Sequence, residues 1–264
     1  MGILTSALMA GCAGSNSSIP LSTTTETRLY IANFGDNTIP RETLLGVRDT
    51  LATGLSGPTI VAFDSVGVLY VGNKTGNSIQ KIDATGAVTT FVPKINAPFG
   101  EAFDSSGNLY VTSRTDGTIL KFAPDGTSSV FVSGLSLPTA LAFDKAGILY
   151  VAANGTSQIL KIAPDASVTT FLSGISDPTG LAFDSAGILY IASGSGNSVY
   201  KVSAIGTVTL FVGGLSLPSG IVFDSAGNLY VANTGNNTIT KVIPAGTSSV
   251  LVSGLSSPTG LAIK

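Results

Sequence analysis

The sequence has 264 residues, 44% hydrophobic and only 11% charged, with a net charge of −2, one cysteine and no histidine. The balance of charge leaves no basic stripe for nucleic-acid phosphates, and the single Cys12 excludes an intramolecular disulfide. Without histidine the chain lacks the commonest general base, the usual zinc ligand and the usual partner of a catalytic serine.

In chain order, the first element is a leader. Residues 1–12 are small and apolar and end at Cys12, and a polar tract over 13–18 follows. Ala10-Gly11-Cys12 resembles the core of a bacterial lipobox, in which the cysteine is lipidated and becomes the new N-terminus. No Lys or Arg precedes the apolar stretch, unlike a secretory leader. No apolar run reaches the roughly 18 residues of a membrane span. Residues 1–20 are therefore expected to be a signal and tether. The protein is expected in the cell envelope or secreted, touching membrane only through a lipid on Cys12.

Residues 21–264 carry a repeat with a step of 40. Phe-Asp recurs at 63–64, 103–104, 143–144, 183–184 and 223–224, and Leu-Tyr recurs from 29–30 to 229–230. The unit beginning at Pro178 predicts four strands: 180–184, 188–192, 198–202 and 208–212. The link from the first to the second is Asp184-Ser-Ala-Gly187. An Asp there can bond backbone two residues on, and a Gly accepts positive φ. The strand segments are β-branched and aromatic, and 3.6-residue periodicity is absent. Four short strands per 40 residues make a propeller blade. The expected fold is all-β: a six-bladed β-propeller with four antiparallel strands per blade.

The ends predict how the ring closes. Second-strand signals start at Leu29, so the first unit lacks its own first strand. The last first-strand signal is Pro258-Thr-Gly-Leu-Ala-Ile-Lys264. Pairing 259–264 with 28–33 completes blade one and removes the open edges.

The run Gly227-Asn-Leu-Tyr-Val-Ala-Asn-Thr-Gly-Asn-Asn-Thr-Ile-Thr-Lys-Val242 resembles an NHL repeat, and the likeness recurs in every unit over 28–264. It departs where the family has Asp: Asn33, Asn73, Ser113, Ala153, Ser193 and Asn233 stand there. It departs again where the family has Arg, at Thr38, Ser78, Thr118, Gln158, Ser198 and Thr238. The resemblance implies the fold and little about activity. Streptogramin lyases share the repeat pattern but use histidine, and the peptide-amidating lyase uses a histidine-bound zinc, so neither mechanism transfers. Gluconolactonase-like propellers hold a divalent cation through Glu, Asn and Asp near the axis, and those residue types are present.

A site in a repeat protein is sought where one unit departs from the others. Glu101 stands where Val61, Leu141, Leu181, Ile221 and Leu261 are aliphatic, and Phe99 stands where the others have Thr or Ser. The same unit carries Arg114 and Asp116 in its next loop, with Lys74 in the loop before. These loops and those entering the first strands share one face, here the top face. Glu101 is expected near the channel mouth, solvated, metal-bound or paired with Arg114. Asn33, Asn73, Asn154 and Asn233 are expected on the same face, as turn residues or as ligands. Tyr30 and its equivalents are expected to pack blades with their hydroxyls partnered, and the basic residues at 41 and equivalents to form a solvated rim.

These residues predict a monomeric, non-enzymatic binding or scaffold propeller that engages a protein or carbohydrate through its top face. No catalytic residue and no cofactor are assigned. The alternative is a hydrolase or lactonase in which Ca²⁺ or another divalent cation sits on Glu101, Asn73, Asn154 and Asn233.

Overall fold

The computed structural model describes residues 26–264. The expected leader and Cys12 lie outside the described residues. Among these the chain forms 24 strands in six four-stranded antiparallel sheets arranged as a propeller.

Blade 1 contains β24 (Pro258–Ile263), β1 (Arg28–Asn33), β2 (Ile39–Thr43) and β3 (Arg48–Ala52), in that order from the axis outward. Blade 2 contains β4 (Pro58–Phe63), β5 (Leu69–Asn73), β6 (Ser78–Ile82) and β7 (Val88–Val92). Blade 3 contains β8 (Pro98–Phe103), β9 (Leu109–Ser113), β10 (Thr118–Phe122) and β11 (Ser128–Val132), and blades 4 to 6 repeat the pattern. The predicted closure is present: β24 pairs with β1 through Leu29↔Ile263, Tyr30↔Ala262 and Ile31↔Leu261.

Local chemistry sets each blade. In blade 2 the Asp64 carboxylate accepts the N–H groups of Val66 at 3.1 Å and Val68 at 2.8 Å, while Gly67 supplies φ of +87°. The other Phe-Asp turns repeat this arrangement. Proline opens every first strand, where its missing N–H costs no ladder bond.

Neighbouring blades are locked near the axis by hydroxyls. Thr59 donates to the Pro98 carbonyl at 2.8 Å, Thr139 to Pro178 at 2.8 Å, and Thr179 to Pro218 at 2.7 Å. Ser219 and Thr259 continue the ring to Pro258 and Pro58, both at 3.3 Å. Further out, each tyrosine meets the next blade's phenylalanine edge-on, as Tyr30 meets Phe63 at 4.8 Å between centroids. The last seam has Ile263 in place of the phenylalanine, and there Tyr230 is fully buried.

Two sequence expectations are corrected here. The lysines are not a solvated rim. Lys81 lies 4.2 Å from the Phe91 centroid and Lys161 lies 4.1 Å from that of Phe171, since a lysine stem can bury on aromatic surface while its ammonium faces the ring. Lys201 alone among them is exposed, and Arg41 is held by Asp49 at 2.8 Å. The tyrosine hydroxyls are also less engaged than expected. Among the described residues only Tyr230 makes a normal hydroxyl hydrogen bond, to Asp224 at 3.0 Å, and burial with that carboxylate raises its pKa.

Candidate functional site

The aliphatic residues equivalent to Glu101 turn into the seams between blades. Val61, Leu141, Leu181, Ile221 and Leu261 each join the apolar cluster of their own seam. On β8, Glu101 pairs in register with Val111 of β9 after a bulge that begins at Pro98. It occupies the same position in the seam between blades 2 and 3 and is only 6% exposed. Of the alternatives expected for this carboxylate, burial removes the solvated one, while the residue does line the axial cavity.

Gly72 on β5, where other units have alanine at 32, 152, 192 and 232, makes room for Ile60, which stands where the other first strands have glycine or alanine. A Cβ at Gly72 would lie 3.7 Å from Glu101 Oε2 and 2.8 Å from Ile60 Cγ2. Neither oxygen of Glu101 has a hydrogen-bond partner. Burial pushes its pKa up to about 8. The Ala62 amide pulls the other way but makes no hydrogen bond of normal geometry. The carboxyl is thus mostly neutral at pH 7, both donor and acceptor.

The expected ion pair with Arg114 is absent. Arg114 instead lies over Phe99, its Cζ 5.3 Å from the ring centroid, and its buried Nε has no partner. Lys74 lies 5.7 Å from the same centroid and 5.8 Å from that of Phe34. The structure therefore brings Lys74, Phe99 and Arg114 together at the top face, with Glu101 two residues further along β8. Glu101 Oε1, Glu101 Oε2 and Arg114 Nε are the only buried side-chain polar atoms without a partner among the described residues. Such orphans are rare in native proteins and each asks for an explanation.

Phe99 also breaks the hydroxyl ring. Thr112 on β9, an alanine or glycine position elsewhere, compensates by donating to the Thr139 carbonyl at 3.3 Å and accepting the Gly100 N–H at 2.8 Å. Gly72, Thr112 and Phe34 were missed in the sequence. The first two were detectable, because both depart from the alanine of the other units.

The remaining candidates serve the fold. Asp116 holds Asn96 at 3.0 Å and Ser113 at 2.8 Å rather than facing the mouth. Asn33, Asn73 and Asn233 use their side-chain carbonyls to accept the N–H groups of Ser256, Ser56 and Ser216 from the preceding connections. Asn154 donates to Asp177. A divalent cation needs several oxygens around one point. Here the only acid among the axial first-strand residues stands among aliphatics, and the amide oxygens of Asn73 and Asn233 are bound to backbone. Among the described residues no cluster of three or more acidic, histidine or cysteine side chains forms. The donor set does not fit the expected cation.

A cavity of about 110 Å³ lies on the axis, lined by residues of the six first strands. Its wall includes Phe99, Glu101, Thr59, Thr179, Leu181 and Leu261. An aliphatic and hydroxyl wall with one carboxyl can orient a ligand. It contains no nucleophile paired with a base.

The fold recurs in solved structures of low identity. A virginiamycin B lyase from Staphylococcus aureus matches with 19% identity and a TM-score of 0.68, over 88% of this chain and 84% of that one. A chain of a nidogen/laminin complex matches with 19% identity and a TM-score of 0.81, over 90% and 98%. A gluconolactonase from Xanthomonas campestris matches with 16% identity and a TM-score of 0.72, over 87% and 84%. No curated protein matches the chain. The model of the virginiamycin B lyase family matches residues 12–264. The NHL likeness thus remains one of repeat pattern, and the chain belongs to the virginiamycin B lyase family.

Proposed function

We propose that this protein is a monomeric, non-enzymatic binding propeller of the bacterial cell envelope that engages a protein or carbohydrate partner through its top face. The observation that carries this reading is the clustering of departures from repeat symmetry in one seam. Gly72, Phe99, Glu101 and Thr112 depart together from residue types that the other units share, Lys74 and Arg114 adjoin them at a loop position that differs in every unit, and all the orphaned buried side-chain atoms lie on Glu101 and Arg114. A histidine-to-alanine variant of the S. aureus lyase, solved with quinupristin, is described as catalytically inactive. The present chain has no histidine at all. Its family membership therefore supports the scaffold more than the reaction.

Two measurements test this. Incubation with quinupristin should give no ring-opened product. A chemical-shift map of glycan and peptide fragment libraries should place the strongest responses at Phe99, Lys74 and Arg114. Turnover of quinupristin, or responses concentrated on the opposite face, would overturn the reading. The donor set disfavours the cation-dependent hydrolase, which would require a calcium-dependent rise in melting temperature that Glu101→Gln abolishes. Attachment at Cys12 would appear as membrane-fraction protein released by Cys12→Ser.

A further inference from the structure

If the partner binds at the top face as proposed, the groups at the mouth set its chemistry. Lys74 and Arg114 converge on Phe99 from neighbouring loops. Neither enters an ion pair among the described residues, where the paired bases are Arg28, Arg41, Arg48 and Lys121. The charged groups on the elements around Glu101 are few. The loop after β5 contributes Lys74, the loop after β9 contributes Arg114 and Asp116, and β12 (Pro138–Phe143) and β4 contribute none. Asp116 is occupied by Asn96 and Ser113. Two cations, one with a buried donor lacking an acceptor, thus flank a single aromatic residue. Guanidinium and carboxylate match in geometry, and a charge-assisted bond out of water is strong. Below Phe99 the axial cavity of about 110 Å³ is walled by aliphatic side chains together with the hydroxyls of Thr59, Thr179, Ser219 and Thr259. That is somewhat less than the roughly 150 Å³ of an engineered apolar cavity that admits benzene, and this one is open at the mouth.

We infer that the mouth is a site for a carboxylate attached to a compact apolar group, the anion at Arg114 and Lys74 and the apolar group against Phe99 and the axial wall. Two sources share this chemistry: a free small acid and the C-terminal carboxylate of a partner chain ending in an apolar residue. Glu101, buried in the adjoining seam and neutral below about pH 8, adds no repulsion. Its ionisation above that pH opposes the anion.

The test is an NMR titration of the full chain at pH 6.5 with benzoate, benzamide, N-acetyl-Ala-Phe with a free or amidated C-terminus, and D-glucose. The acids should shift Phe99 and Arg114 resonances. Benzamide and the amidated peptide should bind about tenfold more weakly or worse, as should Arg114→Met and Phe99→Thr toward the acids. The second variant restores the residue type of four other units and should fold. Raising the pH to 9 should weaken binding to wild type but not to Glu101→Gln. Tighter binding of the peptide than of benzoate identifies a chain terminus, and the reverse identifies a small acid. Equal binding of acids and amides, or acid binding unchanged by Arg114→Met, overturns the inference. Binding of D-glucose at the mouth without the acids overturns the ligand class and leaves top-face recognition standing. Acid-induced shifts confined to another face overturn both.

Discussion

Glu101 shows what a single residue can do to the stability of a repeat. An acid whose folded pKa is raised, here from about 4.5 to about 8, binds more protons folded than unfolded between those values. Its stabilising contribution is complete below the unfolded pKa and is lost as pH rises through the folded one. The loss runs at about 1.4 kcal/mol per pH unit, on the order of several kcal/mol across the window. Glu101→Gln should therefore flatten the fall in melting temperature between pH 5 and 8. A wild-type slope equal to that of the variant would refute the burial account. The turn aspartates act in the opposite sense. Asp104 and Asp224 have lowered pKa values through hydrogen bonds to Asn108 and Asn228 despite the opposing cost of burial, so they lose stability on acidification. The lysines provide a second residue-scale test. Lys161→Ala, which removes a cation lying over Phe171 and Tyr150, should cost about 0.5–2 kcal/mol in chemical denaturation. Lys201→Ala, at the exposed equivalent, should stay within about 0.5 kcal/mol of wild type.

Strand elements were legible because their chemistry is local. The third and fourth strands predicted at 198–202 and 208–212 are the observed ones, fixed by turn residues on both sides. The first strand instead begins at Pro178, two residues early, because the proline carbonyl is where the previous blade's hydroxyl docks. Side-chain direction was not legible. Glu101 stood out by comparison between units, but the bulge after Pro98, which recurs after the other first-strand prolines, turns it into the seam like the aliphatic residues it replaces instead of toward Arg114. Asn33 was read as a turn residue or ligand. Its actual partner, the Ser256 N–H at 2.8 Å, is 223 residues away in sequence and belongs to the closing connection. Asn33→Ala would leave that donor short of an acceptor, at a cost of about 1–3 kcal/mol. The exposed Asn236→Ala is the control, expected to change the unfolding midpoint little.

At the scale of the molecule, six seams hold the ring, and one of them is built differently. Five seams bury an aliphatic residue at the inner position, while the seam between blades 2 and 3 buries an unpaired acid. Closure depends on β24, which both pairs with β1 and passes the hydroxyl ring on to Pro58. Deleting residues 258–264 should collapse the cooperative transition, and a truncated protein melting at the full-length temperature would contradict the closure. Proteins commonly depart from local consistency at functional sites and lose stability there. The measurement that tests this most directly is the double variant Phe99→Thr with Glu101→Leu, which returns β8 to the pattern of the other first strands. Its melting temperature and its benzoate titration are read together at pH 7. The account predicts a melting temperature at or above that of wild type and no benzoate response at the mouth. A variant that melts lower, or still binds benzoate as wild type does, would contradict it.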